Sequence, residues 1–196
     1  MFYLSPVMKK SIFILASLLM VAACGTKTAD PVHEAIKAEI SGNMPQKFTD
    51  VKIYTVEKID STTFRQELDR RKTLFETRRA ADEKLILKYN SEGKQKNAAL
   101  KTESYKKDVF ILRDLDSLEV SLADILDDVA YYDYVFSAQA SGPDGKMEFR
   151  DSYAAITPDM QVIGLTAQKK DLHKGLGKVI PGYLEIVKGE EAPAEE

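Results

Sequence analysis

The chain has no tryptophan and one cysteine, Cys24, among 196 residues. A lone thiol closes no disulfide within the chain, so packing alone must hold the fold. Histidine is also scarce. His33 and His173 stand far apart, and neither has a second ligand at His-x-x-x-His spacing, so each reads as an ordinary surface or packed side chain. No Gly-x-Ser-x-Gly elbow is present. Gly175-x-Gly177 lacks the third glycine and the preceding strand of a dinucleotide loop. Asp114-x-Asp116 with Glu119, and Asp124 with Asp127-Asp128, lack the central glycine and closing glutamate of a calcium loop. These acids read as solvated helix charge. No metal, no cofactor and no enzymatic activity are therefore expected. An excess of basic charge is missing too: 28 Lys and Arg stand against 31 Asp and Glu, a formal charge of −3, which gives no reason to expect nucleic acid as a partner.

Long hydrophobic runs are equally few. The only one, Ser11 to Ala23, is shorter than the roughly 20 residues a bilayer span needs. It follows Lys9-Lys10 and ends in Val21-Ala22-Ala23-Cys24. Basic start, apolar middle and small-residue end are the three parts of a secretory signal. The ending resembles the lipobox of bacterial lipoprotein signals. That resemblance implies diacylglycerol on the Cys24 thiol, cleavage after Ala23 and acylation of the new amino group, with a membrane as the partner of the anchor. Removal of Lys9 and Lys10, with no acid lost, takes the charge from −3 to −5. Translation is expected to start at Met8. Gly25 follows the cysteine where an aspartate would resemble an inner-membrane retention signal. The expected location is the outer membrane, facing the periplasm.

Beyond Cys24, Gly25 to Asp30 reads as a short tether. Pro31 to about Ser41 places Val32, Ala35, Ile36 and Ile40 near one helical face, with Gly42-Asn43 as its stop. Lys47 to Asp60 alternates as a strand. From Thr63 to Tyr89, apolar residues Phe64, Leu68, Phe75, Leu85 and Tyr89 recur at helical spacing among many charges. A second helix starts near Lys96, with Tyr105, Val109, Leu112 and Leu115 on one stripe, and ends between Ser117 and Asp127. The short break at Asn90 to Gly93 pairs the two helices antiparallel. The stripe is thin near Gly93, so that tip should project into solvent. Strands follow at Val129 to Ala140, Met147 to Thr157 and Met160 to Ala167, with a turn at Gly142-Pro143-Asp144-Gly145. Gln168 to Lys174 suits a short helix stopped near Gly175. Tyr183 to Val187 forms a last packed piece.

The expected fold class is α+β: an antiparallel sheet of about four strands, an N-terminal helix, and a long antiparallel helical hairpin inserted after the first strand. Residues 1–23 are the signal, 24–30 the lipidated tether, 31–188 a single domain with the hairpin at about 63–120, and 189–196 a disordered acidic tail. The order helix, then Pro45-Gln46-Lys47-Phe48-Thr49-Asp50-Val51 leading into a strand, is similar to small uncharacterised Bacteroidetes lipoproteins. The strand pair around Tyr131 to Thr166 extends the likeness. It implies a fold and a compartment, and no activity.

Two groups of residues suit contact with an envelope protein. Arg71 and Arg78 lie seven apart on the first long helix, and Glu67 lies four before Arg71 as an available ion-pair partner. Tyr131, Tyr132 and Tyr134 are broad, amphipathic side chains, with Tyr131 and Tyr132 on opposite faces of their strand. The functional expectation is a lipid-anchored, non-enzymatic interaction or envelope-assembly module. The alternative is a small-molecule-binding lipoprotein with a pocket between sheet and helices.

Overall fold

The computed structural model describes residues 30–189. The signal, Cys24, the tether before Asp30 and the tail beyond Gly189 lie outside them. Proline at the first position starts helix α1 (Pro31–Gly42), whose Ile36 and Ile40 are fully buried. Strand β1 (Thr49–Thr63) runs three residues beyond the expected Asp60. Its last residue caps helix α2 (Phe64–Ser91). The Gln66 amide donates to Thr63 Oγ1, and the Thr63 amide donates to Gln66 Oε1, a reciprocal capping box. The next two amides, Phe64 and Arg65, donate to the carbonyls of Asp128 and Leu126. The start of α2 is thus tied to the segment that follows the hairpin's second helix, α3 (Gln95–Ser121).

The remaining strands are β2 (Val129–Gly142), β3 (Gly145–Ile156) and β4 (Val162–Thr166). All pairs are antiparallel and the order is β1-β2-β3-β4, a meander into which the helical hairpin is inserted between β1 and β2. The fold is α+β, as the periodicities predict. The stretch after β4, expected as a short helix stopped near Gly175, is 3₁₀ rather than α. It forms two 3₁₀ turns, Lys169–Asp171 and Leu176–Val179, separated by Gly175 at φ 74°, a left-handed conformation that stops a right-handed helix. Helix α4 (Tyr183–Gly189) closes the described chain. Among the described residues no helix is long and apolar enough to cross a membrane.

Both faces of the sheet are covered. Ile36 and Ile40 of α1 pack on Phe136, Ala138, Ala140, Ala154 and Ile156. The opposite face carries Ala130, Tyr131 and Ala155, against which Leu172 and Leu176 of the 3₁₀ segment are buried. Gly164 on β4 permits this approach. A methyl group there would stand 3.3 Å from the Leu172 carbonyl and 3.2 Å from the Leu176 side chain. Gly177 is tighter still, since a Cβ would meet the Tyr183 ring at 2.5 Å.

The hairpin interior is part apolar and part ionic. Leu68, Phe75, Ile111, Leu112 and Leu115 fill its base with Leu126, Ile180 and Tyr183. Toward the tip the seam is closed by charges: buried Asp108 accepts from Arg78 Nε at 2.7 Å, and buried Asp82 accepts from Lys101 Nζ at 2.8 Å. Burial works to raise the Asp82 carboxyl. The hydrogen bond from Lys101, then Ser104 and the charge of Arg78, overcome it and hold the group below its ordinary 3.8. A depressed folded value means stability that is complete above 3.8 and lost as pH falls through the lower folded value. Urea midpoints should therefore drop more steeply below pH 4 in the natural chain than in Asp82→Asn, by up to about 1 kcal/mol for this partly exposed pair. Identical acid profiles for the two proteins would exclude this role.

Candidate functional site

The α2 residues nearest the sheet are not all apolar. Glu67 is fully buried, and three side chains converge on it. Arg71 Nε donates to Oε1 at 2.7 Å, and Arg71 Nη2 donates to the same oxygen. The Tyr131 hydroxyl donates to Oε2 at 2.7 Å, and Arg70 Nη1 donates to Oε2 as well. Arg70 Nη1 also lies 2.6 Å from the Tyr131 oxygen. Burial, the first cause, pushes the Tyr131 hydroxyl up to about 12. Thr62 and Arg70 act in the other direction, and the Glu67 carboxylate adds to the rise. The phenol therefore remains a donor at neutral pH.

This network reaches the 3₁₀ segment. Arg71 Nη2 donates to the His173 carbonyl at 2.7 Å. The His173 ring is held on its other side, with Nε2 at 2.7 Å from Asp133 Oδ2. Asp133 is almost wholly buried on β2, and its Oδ1 has no hydrogen-bond partner. The Tyr131 and His173 rings stand 5.8 Å apart, tilted. Two buried carboxylates thus fix the segment, Glu67 against α2 through the segment's backbone and Asp133 against β2 through its imidazole.

Between α2 and this segment lies an open cleft of about 500 Å³. One wall is the stripe Arg70, Thr73, Leu74 and Thr77, spaced i, i+3, i+4 and i+7 and so aligned along one helix face. The other wall is Lys170, His173, Lys174 and Gly175, with Arg71 at the base. No carboxylate lines the cleft. Glu67 lies beneath it, and Asp171 pairs with Lys174 at 2.6 Å. Arg70 engages its neighbours through Nη1 alone, which leaves Nε and Nη2 without partners among the described residues. Lys170 has no acidic partner among the described residues.

The residues expected to meet a protein partner are dispersed. Arg71 and Tyr131 are buried inside the network, which corrects the reading of them as contact residues: each serves Glu67, beyond the reach of a macromolecule. The Glu67–Arg71 pair foreseen from i,i+4 spacing does form, but in the interior. Arg78 reaches across the hairpin to Asp108 with its side chain about half exposed. Tyr132 and Tyr134 are half-buried on the α1 side, Tyr132 beneath Lys58 Nζ at 3.8 Å from the ring centre and Tyr134 against the α1 cluster. Tyr131 and Tyr132 do occupy opposite faces.

Sequence reasoning gave Glu67 only an ion pair with Arg71, left Arg70 out of the candidate contacts, missed Asp133 and Lys170, and treated His173 as unremarkable. One signal is visible. Asp133 is a lone carboxylate inside Tyr131-Tyr132-Asp133-Tyr134-Val135-Phe136, where a buried strand face demands a partner for it. Among the described residues no group of three or more His, Cys, Asp or Glu side chains could hold a metal ion. Compared with protein-family models, curated proteins and solved structures, the chain matches none.

Proposed function

We propose that this protein is a lipid-anchored, periplasm-facing binding module of the bacterial outer membrane that takes a small organic anion into the cleft between α2 and residues 169–179. The observation that carries the reading is a cleft lined by Arg70, Lys170 and Lys174 with no carboxylate in its walls. Lys170, with no acidic partner among the described residues, and Arg70, with donors left over beside Glu67, favour an anion over any neutral ligand. Its volume lies within the roughly 300–1,000 Å³ typical of small-molecule sites. The reading is binding without turnover. His173 and Asp133 make a base and an orienting group, yet no hydroxyl or thiol is bonded to the ring among the described residues, so no nucleophile is set up. The anchor rests on Cys24 and its lipobox.

A second reading, docking of an envelope protein on the hairpin, draws on the exposed Leu87 and Leu100 toward its tip. The cleft reading is preferred because its walls are held by buried networks.

The test is calorimetric titration of small aromatic and aliphatic anions into protein extracted from membranes with its anchor. Lys170→Glu reverses an exposed charge at no cost to the core. It should weaken binding about tenfold or more. The reading fails if no organic anion binds the natural protein, or if Lys170→Glu binds equally well.

A further inference from the structure

The cleft's chemistry narrows the ligand class, and the narrowing rests on the anion-binding reading above. We infer that the anionic group bound there is the dianion of a phosphate monoester, seated between Arg70 on α2 and Lys170 and Lys174 on the opposite wall, with the ester's organic part against Leu74.

Charge is the first ground. Arg70, Arg71, Lys170 and Lys174 all line the cleft, while the nearby carboxylates of Glu67, Asp171 and Asp133 lie outside its walls and are each engaged by a cation or by the His173 ring. A lining of four cations and no carboxylate attracts a dianion more strongly than a monocarboxylate.

Donor geometry is the second. The donors without partners among the described residues come from both walls: Arg70 Nε and Nη2 and the Thr73 and Thr77 hydroxyls on one side, the Lys170 ammonium on the other. A planar carboxylate presents two oxygens in one plane. A phosphate monoester presents three terminal oxygens at tetrahedral angles, which lets one group accept from both walls at once. Guanidinium supplies the forked contact and ammonium the point charge.

Size and apolarity are the third. Inorganic phosphate alone would leave most of about 500 Å³ unfilled, and Leu74 presents an apolar surface, 54 % exposed, within the same wall. That surface fits the carbon part of an ester. Arg71 is nearly buried, and Glu67 and the His173 carbonyl already hold its Nε and Nη2. Its role is to position the second wall.

The phosphate could belong to a free ester or to a lipid headgroup, and the experiment separates the two. Phenyl phosphate, phthalate and benzoate are titrated at pH 8 into the full anchored protein in non-ionic detergent. Phthalate matches the double charge without the tetrahedral group, and benzoate matches neither. Phenyl phosphate should bind about tenfold or more tighter than both. Lys170→Ala and Thr73→Val, both at exposed positions, should each reduce that preference without shifting the melting temperature. A tighter hold on phosphatidylcholine vesicles carrying phosphatidic acid than on phosphatidylcholine alone, with the difference abolished by phenyl phosphate, would assign the group to a lipid. Phenyl phosphate preference without that difference would assign it to a free ester. If phthalate or benzoate binds as tightly as phenyl phosphate, the phosphate assignment is overturned while the anion cleft stands. If none of the three binds and phosphatidic acid adds nothing to vesicle binding, both readings fall.

Discussion

Replacing Glu67 by alanine should cost about 3–5 kcal/mol of folding stability, because it leaves the buried Arg71 guanidinium with no counter-charge. Arg71 has only 7 % of its side chain exposed, so water cannot take the place of the lost carboxylate. The Tyr131 hydroxyl, buried on β2, loses its acceptor in the same step, and Arg70 loses one of two partners. Equilibrium urea denaturation followed by far-ultraviolet dichroism reads the loss directly. A drop below about 1 kcal/mol would mean that the network is not structural. The double variant Glu67→Leu with Arg71→Met separates a net-stabilising pair from a merely compensated one. Well-packed apolar replacements of a buried pair are often neutral. The double variant should therefore recover most of the stability, while losing the hold on the His173 carbonyl that shapes the cleft. Anion binding should stay weak even where folding is restored.

The same residues show how far the sequence could be read. Strand and helix types follow from period, and Ile36, Ile40, Leu68 and Leu115 fall on core faces as their spacing requires. The Glu67–Arg71 spacing foretold a pair. What spacing cannot tell is on which side of the helix that pair lies when apolar residues are sparse. Between Leu68 and Phe75 the inward face of α2 has too few apolar side chains to define it, and Glu67 and Arg71 complete it as an ion pair. Toward the tip, Asp82 and Asp108 do the same across the hairpin. The cleft depends on contacts between positions about 100 residues apart, as Arg71 with His173, and on a left-handed Gly175 that ends a helix the composition favours. Gly175 is legible as a helix stop, but the long-range contact leaves no local pattern. Asp133 does, as a charge among aromatic strand residues, and a buried charge without a nearby partner in sequence points to one supplied from elsewhere in the fold.

Leu115→Ala should destabilise the domain by about 2–5 kcal/mol, through a different mechanism. Leu115 is fully buried where the hairpin base, the post-hairpin residue Leu126 and the C-terminal residues Ile180 and Tyr183 meet. Truncation removes apolar burial and opens a cavity whose walls belong to three separate chain segments. Those walls cannot collapse easily, because the base of α2 is pinned by the Phe64 and Arg65 amides to the Asp128 and Leu126 carbonyls. The cost should thus fall toward the upper part of that range. Phe110→Ala, half-exposed one turn away on α3, serves as the control and should change stability by less than about 1 kcal/mol. The two large effects are separable. No second substitution that merely removes a charge can rescue Leu115→Ala, whereas removing Arg71 relieves Glu67→Leu. A Leu115→Ala loss no greater than that of Phe110→Ala would show that the hairpin base is not part of the cooperative core. The cleft wall on α2 would then have to be held by the Glu67 network alone.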